Sequence, residues 1–408
     1  MYRILPFGGY FFGLVVPLYV TRDYWSQFSP LTATMVSVGQ AIALASLLLF
    51  GFLNWKNFRL SWSPTGALLS FGFVGWCTLS TIWSINPQET LINTVILTIY
   101  LTVISIAWNL PPQIFRRLAL IGALATIAIL IPLPFIIPFN NRTLGGITPN
   151  LFGHFAFMIL VMFMIWGRFR FALAMISVII IFIVQARTVF IGLVVFWIVW
   201  IYLSKFMKVA STRFDILIFL GFLGTAFGLI YIFAEISLTE LVSSLLNVTT
   251  SSRLGANFTG RGDVWNVAYS KIMDNPIIGY GFKTRGVADL SYITDAINAH
   301  SGALNIALDL GLVGVALFFI WYAYAFWQAI DLRPHPFAQE KITIAAFLAG
   351  NVAILAVEPN YISFVHPTAF LTLLALSFPL VDFKLAKPAA PRRKFRRKPQ
   401  PRLRYVRT

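Results

Sequence analysis

Charge is scarce in this chain, and cysteine and histidine are close to absent: 11% of the 408 residues are charged, four are histidine and one is cysteine. The lone Cys77 sits inside the apolar run from Ala67 to Trp83. It leaves no intramolecular disulfide and no cysteine-rich metal site, and it says nothing about redox compartment. No Walker-type phosphate loop, internal repeat or separate soluble domain can be read along the chain, which argues against an ATP-driven pump. No carboxylate cluster suits a divalent ion, so neither a metal nor any other cofactor is expected.

What is present is hydrocarbon. Apolar residues make up 58% of the chain, aromatics 16%, and the mean hydropathy is +0.80. Such a composition is irreconcilable with a water-facing surface over most of the length, and it predicts an all-α, polytopic membrane protein. About twelve segments have the roughly 17 to 25 apolar residues needed to cross a bilayer. They are 4–20, 30–53, 65–83, 88–110, 115–138, 149–166, 170–186, 188–204, 214–236, 303–330, 338–357 and 361–381. The first, in MYRILPFGGYFFGLVVPLYV, reads as a span and not a signal peptide, because it lacks a small-residue cleavage site and its later half holds aromatics and Pro17.

Lys and Arg set the orientation, since cytoplasmic loops carry them in excess. With the N-terminus inside, the inner loops receive Lys56 and Arg59, Arg116 and Arg117, Arg168 and Arg170, Lys205, Lys208 and Arg213, then Arg333 and Lys341. The outer loops hold isolated cations such as Arg22, Arg142 and Arg187. The net charge of +17 is therefore mainly an orientation signal. Residues 1–381 form one membrane domain with both termini cytoplasmic, followed by a basic, disordered tail, 382–408. That tail, with PRRKFRRKPQPRLRYVR, is suited to anionic membrane lipids at about 1 kcal/mol per cation near the surface. Interrupted by proline and preceded by no nucleic-acid module, it does not read as a nucleic-acid binder.

One large outer loop, 237–302, interrupts the bundle, and a loop of about 65 residues inside a compact protein is uncommon unless it is functional. Within it, DVWNVAYSKIM places Val264, Trp265, Val267, Ala268, Ile272 and Met273 near helical period, with Gly262 and Asp263 at the start and Asn275-Pro276 at the end. The segment predicts an amphipathic helix that lies on the membrane face or caps the bundle. Arg261 precedes its N-terminus, where dipole and side chain together favour an anion such as phosphate. Arg261-Gly262-Asp263 also spells an adhesion tripeptide, but three residues recur by chance. Gly279-Tyr-Gly281 follows no strand and lacks a third glycine, so it reads as a turn after Pro276. The sequons at Asn247 and Asn257 matter only in a glycosylating host.

The histidines separate by position. His335 belongs to an inner loop, while His154 and His366 lie within or at the ends of apolar spans and suit structural hydrogen bonding. His300 sits at the outer mouth of the tenth span, on the same side as Arg187, Arg261 and Arg285. An imidazole can accept a proton near neutral pH, and guanidinium groups bind phosphate bidentately. Arg187, in IFIVQARTVFIGLVV, lies between apolar runs, where an ionisable residue is costly and is a functional candidate. Its alternative is snorkelling to the headgroups. Glu358, in AVEPNY, is a carboxylate at similar depth that can pair an arginine or orient the histidine.

This order of elements resembles the O-antigen ligase and polymerase family of bacterial envelope proteins, which includes exopolysaccharide polymerases. The resemblance is carried by Arg187 at the outer end of a span, TGRGDVW, NPIIGYG and AHSGALNIALDLGLVG, with GGITPNLFGHF (145–155) similar to the family's Pro-Asn element. In that family the last element usually reads His-Asn before an apolar helix with Gly-x-x-Gly; here it is His300-Ser301 with Gly311-Leu-Val-Gly314. The resemblance implies a metal-independent, inverting glycosyl transfer at the periplasmic face of the inner membrane. The donor would be an undecaprenyl-pyrophosphate-linked glycan, and the acceptor a hydroxyl of lipid A core or of a growing glycan. It implies a pyrophosphate clamp of Arg187, Arg261 and Arg285, His300 engaging the acceptor hydroxyl, and support from Glu358 and Asp263. The competing expectation is a secondary transporter or flippase for a glycan or other anion, which twelve spans allow.

Overall fold

The computed structural model describes residues 63–108, 111–130, 149–167, 170–183, 186–207, 264–284, 299, 301–331, 337–358 and 367–380. The predicted spans 4–20, 30–53 and 214–236, most of the outer loop and the basic tail lie outside the described residues. Within them the protein is helical, with no strand. Six helices precede the outer loop: α1 (Pro64–Leu79), α2 (Pro87–Trp108), α3 (Pro112–Leu130), α4 (Pro149–Trp166), α5 (Arg170–Ile183) and α6 (Arg187–Met207). Then come α7 (264–274), α8 (Gly302–Ala329), α9 (Ala338–Val357) and α10 (Pro367–Ser377).

Four of these segments are long and apolar enough to cross a membrane: Pro64–Ile82, Thr188–Lys205, Gly302–Ala329 and Ala338–Ala356. The chain is a membrane protein, and its remaining helices are shorter or more polar. In α2 the threonines lower the hydropathy, yet each hydroxyl of Thr94, Thr98 and Thr102 donates to the carbonyl four residues back at 2.8 Å. The polar groups are thereby satisfied inside the helix itself.

The elements α4, α6 and α9 form the centre. Every residue from Phe152 to Ile165 of α4 is buried, as expected of a helix apolar on all sides. Around it stand α3, α5, α6, α9 and α10. The closest pair is α6 with α9, where Gly192 and Gly350 face each other so tightly that a Cβ on Gly350 would strike the Gly192 carbonyl oxygen. Small residues let two backbones approach where lipid supplies no hydrophobic drive, and dispersion then holds them together.

The charges predicted for inner loops include some that hold the bundle together. Arg116 of α3 pairs its guanidinium with the fully buried carboxylate of Glu340 in α9, Nε to Oε1 and Nη2 to Oε2 at 3.2 Å. The neighbouring Lys341 is buried too, and its Nζ donates to the Asp331 carbonyl at 2.7 Å. An aromatic cluster closes the same end, with Trp108 stacked on Phe115 at 4.4 Å and edge-on to Phe378 at 5.0 Å.

Two expectations need correction. The tenth span, read as one continuous helix, is broken: Gly311 in α8 has φ 65° and ψ −171°. An unbroken helix would bond the N–H of residues 312 and 313 to the carbonyls of 308 and 309. Here the NPIIGYG segment takes all four groups. Tyr280 and Gly281 N–H donate to the Leu308 and Asp309 carbonyls at 2.9 and 2.8 Å, while Leu312 and Val313 N–H donate to the Pro276 and Ile277 carbonyls at 2.8 and 3.3 Å. The Leu310 carbonyl is taken by Trp76 Nε1 at 3.0 Å. Irregular backbone in a membrane bundle survives only when its polar groups are paired within the protein, and this loop supplies the pairing.

The amphipathic helix takes the second of its two expected placements, against the bundle, and the other correction concerns Met273 alone. Val264, Ala268 and Ile272 of α7 are buried against Leu304, Ala307 and Leu308 of α8, so α7 packs on the bundle. Met273, expected on the apolar face, is 58% exposed, because the packed stripe follows steps of four residues and leaves position 273 to the side. The turn read at Gly279-Tyr-Gly281 is present, with φ of 66° at Gly279 and 111° at Gly281.

Candidate active site

The ends of four helices meet at one pole of the bundle. Arg187 is the first residue of α6, placed there after Ala186, and the next residue, Thr188, donates its hydroxyl to Glu358 Oε1 at 3.3 Å. Glu358 is the C-cap of α9, with extended backbone (φ −131°, ψ 143°), and it is 6% exposed. Its carbonyl oxygen lies where a Cβ on Gly302, the first residue of α8, would come within 3.3 Å. So Glu358 touches the start of α6 on one side and the start of α8 on the other.

From α8 the contacts pass to α7. Trp265 Nε1 donates to the Ala299 carbonyl at 2.8 Å, and the Ala299 N–H donates to Asn305 Oδ1 at 3.1 Å. Ser301 is the N-cap of α8, its Oγ accepting from the Leu304 N–H at 3.4 Å. That assigns the serine that stands where the related family usually has asparagine. Both residue types cap helix N-termini with comparable preference, so the exchange preserves the local structure.

The N-termini of α6 and α8 thus meet at one buried carboxylate, and the N-terminus of α7 is tied through Trp265 to the residue that leads into α8. Each N-terminus carries about half a positive charge from its unpaired N–H groups. Together they favour an anion, and Glu358 is placed to pair a cation or to orient a neighbouring proton-carrying group. The opposite pole, at Arg116 and Glu340, is about 27 Å away along α9. The Pro149-Asn150 element opens α4 at the same pole as the candidate site, for a Cβ on Gly153 would meet Ala186 and Val189 at the start of α6. His154, on that first part of α4, is fully buried.

Of the residues expected to do chemistry, Arg187 and Glu358 fall at this pole. His300, Arg261, Arg285 and Asp263 lie outside the described residues, as do Arg142, His335 and His366. The described neighbours nevertheless bracket them: residues 299 and 301 flank His300, and α7 begins immediately after Asp263. Sequence reading missed Thr188, Trp265 and Asn305. Ser301 could have been read as a cap from its place before an apolar helical run. The other three carry no local signal, because their partners are more than four residues away.

No curated protein matches the chain. Residues 172–319 match the family model described as O-antigen ligase. That segment runs from α5 into α8 and contains Arg187, Arg261, Arg285, His300 and the Gly311 break, while Glu358 lies beyond it. Over this segment, which is less than half of its length, the chain is similar to the O-antigen ligases.

Proposed function

We propose that this protein is a membrane glycosyltransferase that moves a glycan from undecaprenyl pyrophosphate to an acceptor hydroxyl at the periplasmic face of the bacterial inner membrane. The observation that supports this reading is the meeting of the α6 and α8 N-termini at Glu358, with the start of α7 held at the same end of α8 through Trp265 and Ala299. A pyrophosphate leaving group needs positive charge where its own negative charge develops, and preorganised helix dipoles and guanidinium groups supply it without reorganisation. Arg187, Arg261 and Arg285 are the cations we assign to it.

In the transfer, the acceptor oxygen attacks the anomeric carbon as the bond from that carbon to the pyrophosphate oxygen breaks. The bonding pair leaves with the pyrophosphate, the hydroxyl proton passes to His300, and the configuration inverts. Glu358 and Asp263 support the site by pairing an arginine or orienting the imidazole. The chemistry asks for no metal, because bound cations neutralise the leaving group. In this reading residues 1–381 are one membrane domain with the 237–302 loop outside, and the 382–408 tail lies with both termini in the cytoplasm near anionic lipid.

The test is the lipid-linked and surface glycan profile of a deletion strain complemented with wild type, Arg261→Ala or His300→Ala. Single repeat units in place of long chains identify a polymerase, whereas full-length chains stranded on the carrier identify a ligase. Inserted, stable variants that both leave the profile intact would overturn the proposal.

A further inference from the structure

From Leu312 to Ala329, α8 runs for about 27 Å at the helical rise, close to the roughly 30 Å of a hydrocarbon core. Helix α1 lies antiparallel beside this part. Ser63 Oγ and Tyr324 OH are 3.4 Å apart at one end, and Trp76 Nε1 donates to the Leu310 carbonyl at the other. The apolar segment of α1 stops at Ile82, just past that meeting point. Tryptophans, which collect at both edges of a bilayer, mark the same two levels. Trp76 and Trp83 pack with ring centres 5.2 Å apart beside the break in α8, and Trp327 is exposed near the far end of that helix.

The segment inserted at the break holds α7 in place. Trp83 Nε1 donates to the Ile278 carbonyl and the Ile85 N–H to the Tyr280 carbonyl, both at 3.1 Å, while Tyr280 OH donates back to the Lys271 carbonyl in α7 at 3.0 Å. So α7 and residues 275–281 form one unit, fixed against the ends of α1 and α8. Around this junction Ile82, Ile85, Ile277 and Leu312 are all exposed, Ile82 at 81% and Ile277 at 62%. On α7 itself the residues fall into stripes at steps of four. Val264, Ala268 and Ile272 pack on α8; Tyr269 and Met273 are exposed and lead on to Ile277; Asn266, Ser270 and Asp274 are exposed and polar. A contiguous exposed apolar patch marks contact with an apolar partner. Here it continues the exposed side of α1 at Leu79 and Ile82, in a segment long and apolar enough to cross the membrane.

We propose that the break in α8 lies at one edge of the bilayer and that Tyr269, Met273 and Ile277 rest in the lipid there, with Asn266, Ser270 and Asp274 left in water. Helix α7 then has two apolar stripes with different partners, one on the bundle and one among the lipids. A helix seated in this way sinks its apolar side by about 5–10 Å at the boundary of headgroups and acyl chains. The contact is independent of the transfer reaction.

The experiment adds one cysteine at a time to the full chain: Tyr269→Cys, Met273→Cys or Ile277→Cys on the apolar stripe, Ser270→Cys or Asp274→Cys on the polar one. Cys77 is fully buried, so wild type stays unlabelled and serves as the blank, and a variant that loses its fold is recognised by a second label. Bimane-labelled protein is reconstituted into vesicles of phosphatidylethanolamine and phosphatidylglycerol, with or without bromine on the acyl chains near the headgroup. These vesicles hold no polyprenyl carrier, so any quenching comes from the lipid of the bilayer. We expect bromine to lower the emission about twofold or more on the apolar stripe and by less than about a tenth at Ser270→Cys and Asp274→Cys. Should one apolar position fail to fold, the other two carry the test. Emission untouched by bromine on the apolar stripe would overturn the proposal, as would equal quenching on both stripes. A probe at Ile277→Cys that is blue-shifted yet unquenched would also overturn it, by placing a protein partner such as a second copy of this chain on that face.

Discussion

Replacing Gly311 by alanine tests the broken helix, because the sign of the effect differs between the two possible geometries. In a continuous helix, glycine to alanine stabilises by about 0.8–1.0 kcal/mol. At φ 65° and ψ −171° the same change puts a side chain in a backbone region that only glycine occupies readily, at a cost of about 1–3 kcal/mol. The new Cβ would also collide with the Ile277 carbonyl, so the loop must move away. Four hydrogen bonds join the loop to the break, and each contributes about 0.5–1.5 kcal/mol net. Losing even two of them brings the total to roughly 2–6 kcal/mol of destabilisation. Cys77 provides the assay. It is the one cysteine in the chain and it is fully buried, so a thiol-reactive fluorophore reports unfolding of the detergent-solubilised protein from a single site. Gly311→Ala is expected to label at a clearly lower temperature than wild type. An unchanged or higher transition would refute the insertion of the NPIIGYG loop into α8.

Further expectations concern the poles of the bundle and its central pair. Arg116→Ala strands the buried Glu340 carboxylate and should cost about 3–5 kcal/mol in the same thermal assay, whereas Arg116→Met combined with Glu340→Gln should recover most of that loss. Ser301→Asn keeps the cap of α8 and should leave stability within a few tenths of a kcal/mol, while Ser301→Ala should lose about 1 kcal/mol. Gly192→Leu would force α6 from α9 at the Gly350 carbonyl and the Ile354 side chain. It should lower the yield of folded protein by size-exclusion chromatography far more than a leucine at Gly72, which has open space around it.

The all-helical membrane class was legible from composition, and apolar length located the helices, because a bilayer demands long runs whose backbone groups are satisfied internally. The predicted spans from 65–83 to 188–204 and from 303–330 onward each meet a helix. NPIIGYG, the glycine at 311, and Arg187 at a helix start could likewise be singled out by residue type and spacing. Tertiary structure decided what those features do. Gly311 breaks α8 only because another segment, some thirty residues earlier, replaces the helix's own hydrogen bonds. Arg116 and Lys341 looked like loop charges until Glu340 and the Asp331 carbonyl were found beside them. Thr188 meets Glu358 across 170 residues of chain, and Trp265 meets Ala299 across 34. Periodicity and composition describe how a segment meets its surroundings on average, so they mark faces and spans. Which donor finds which acceptor depends on how the helices stack, and that is determined by close approaches such as Gly192 to Gly350, which no single segment of sequence contains.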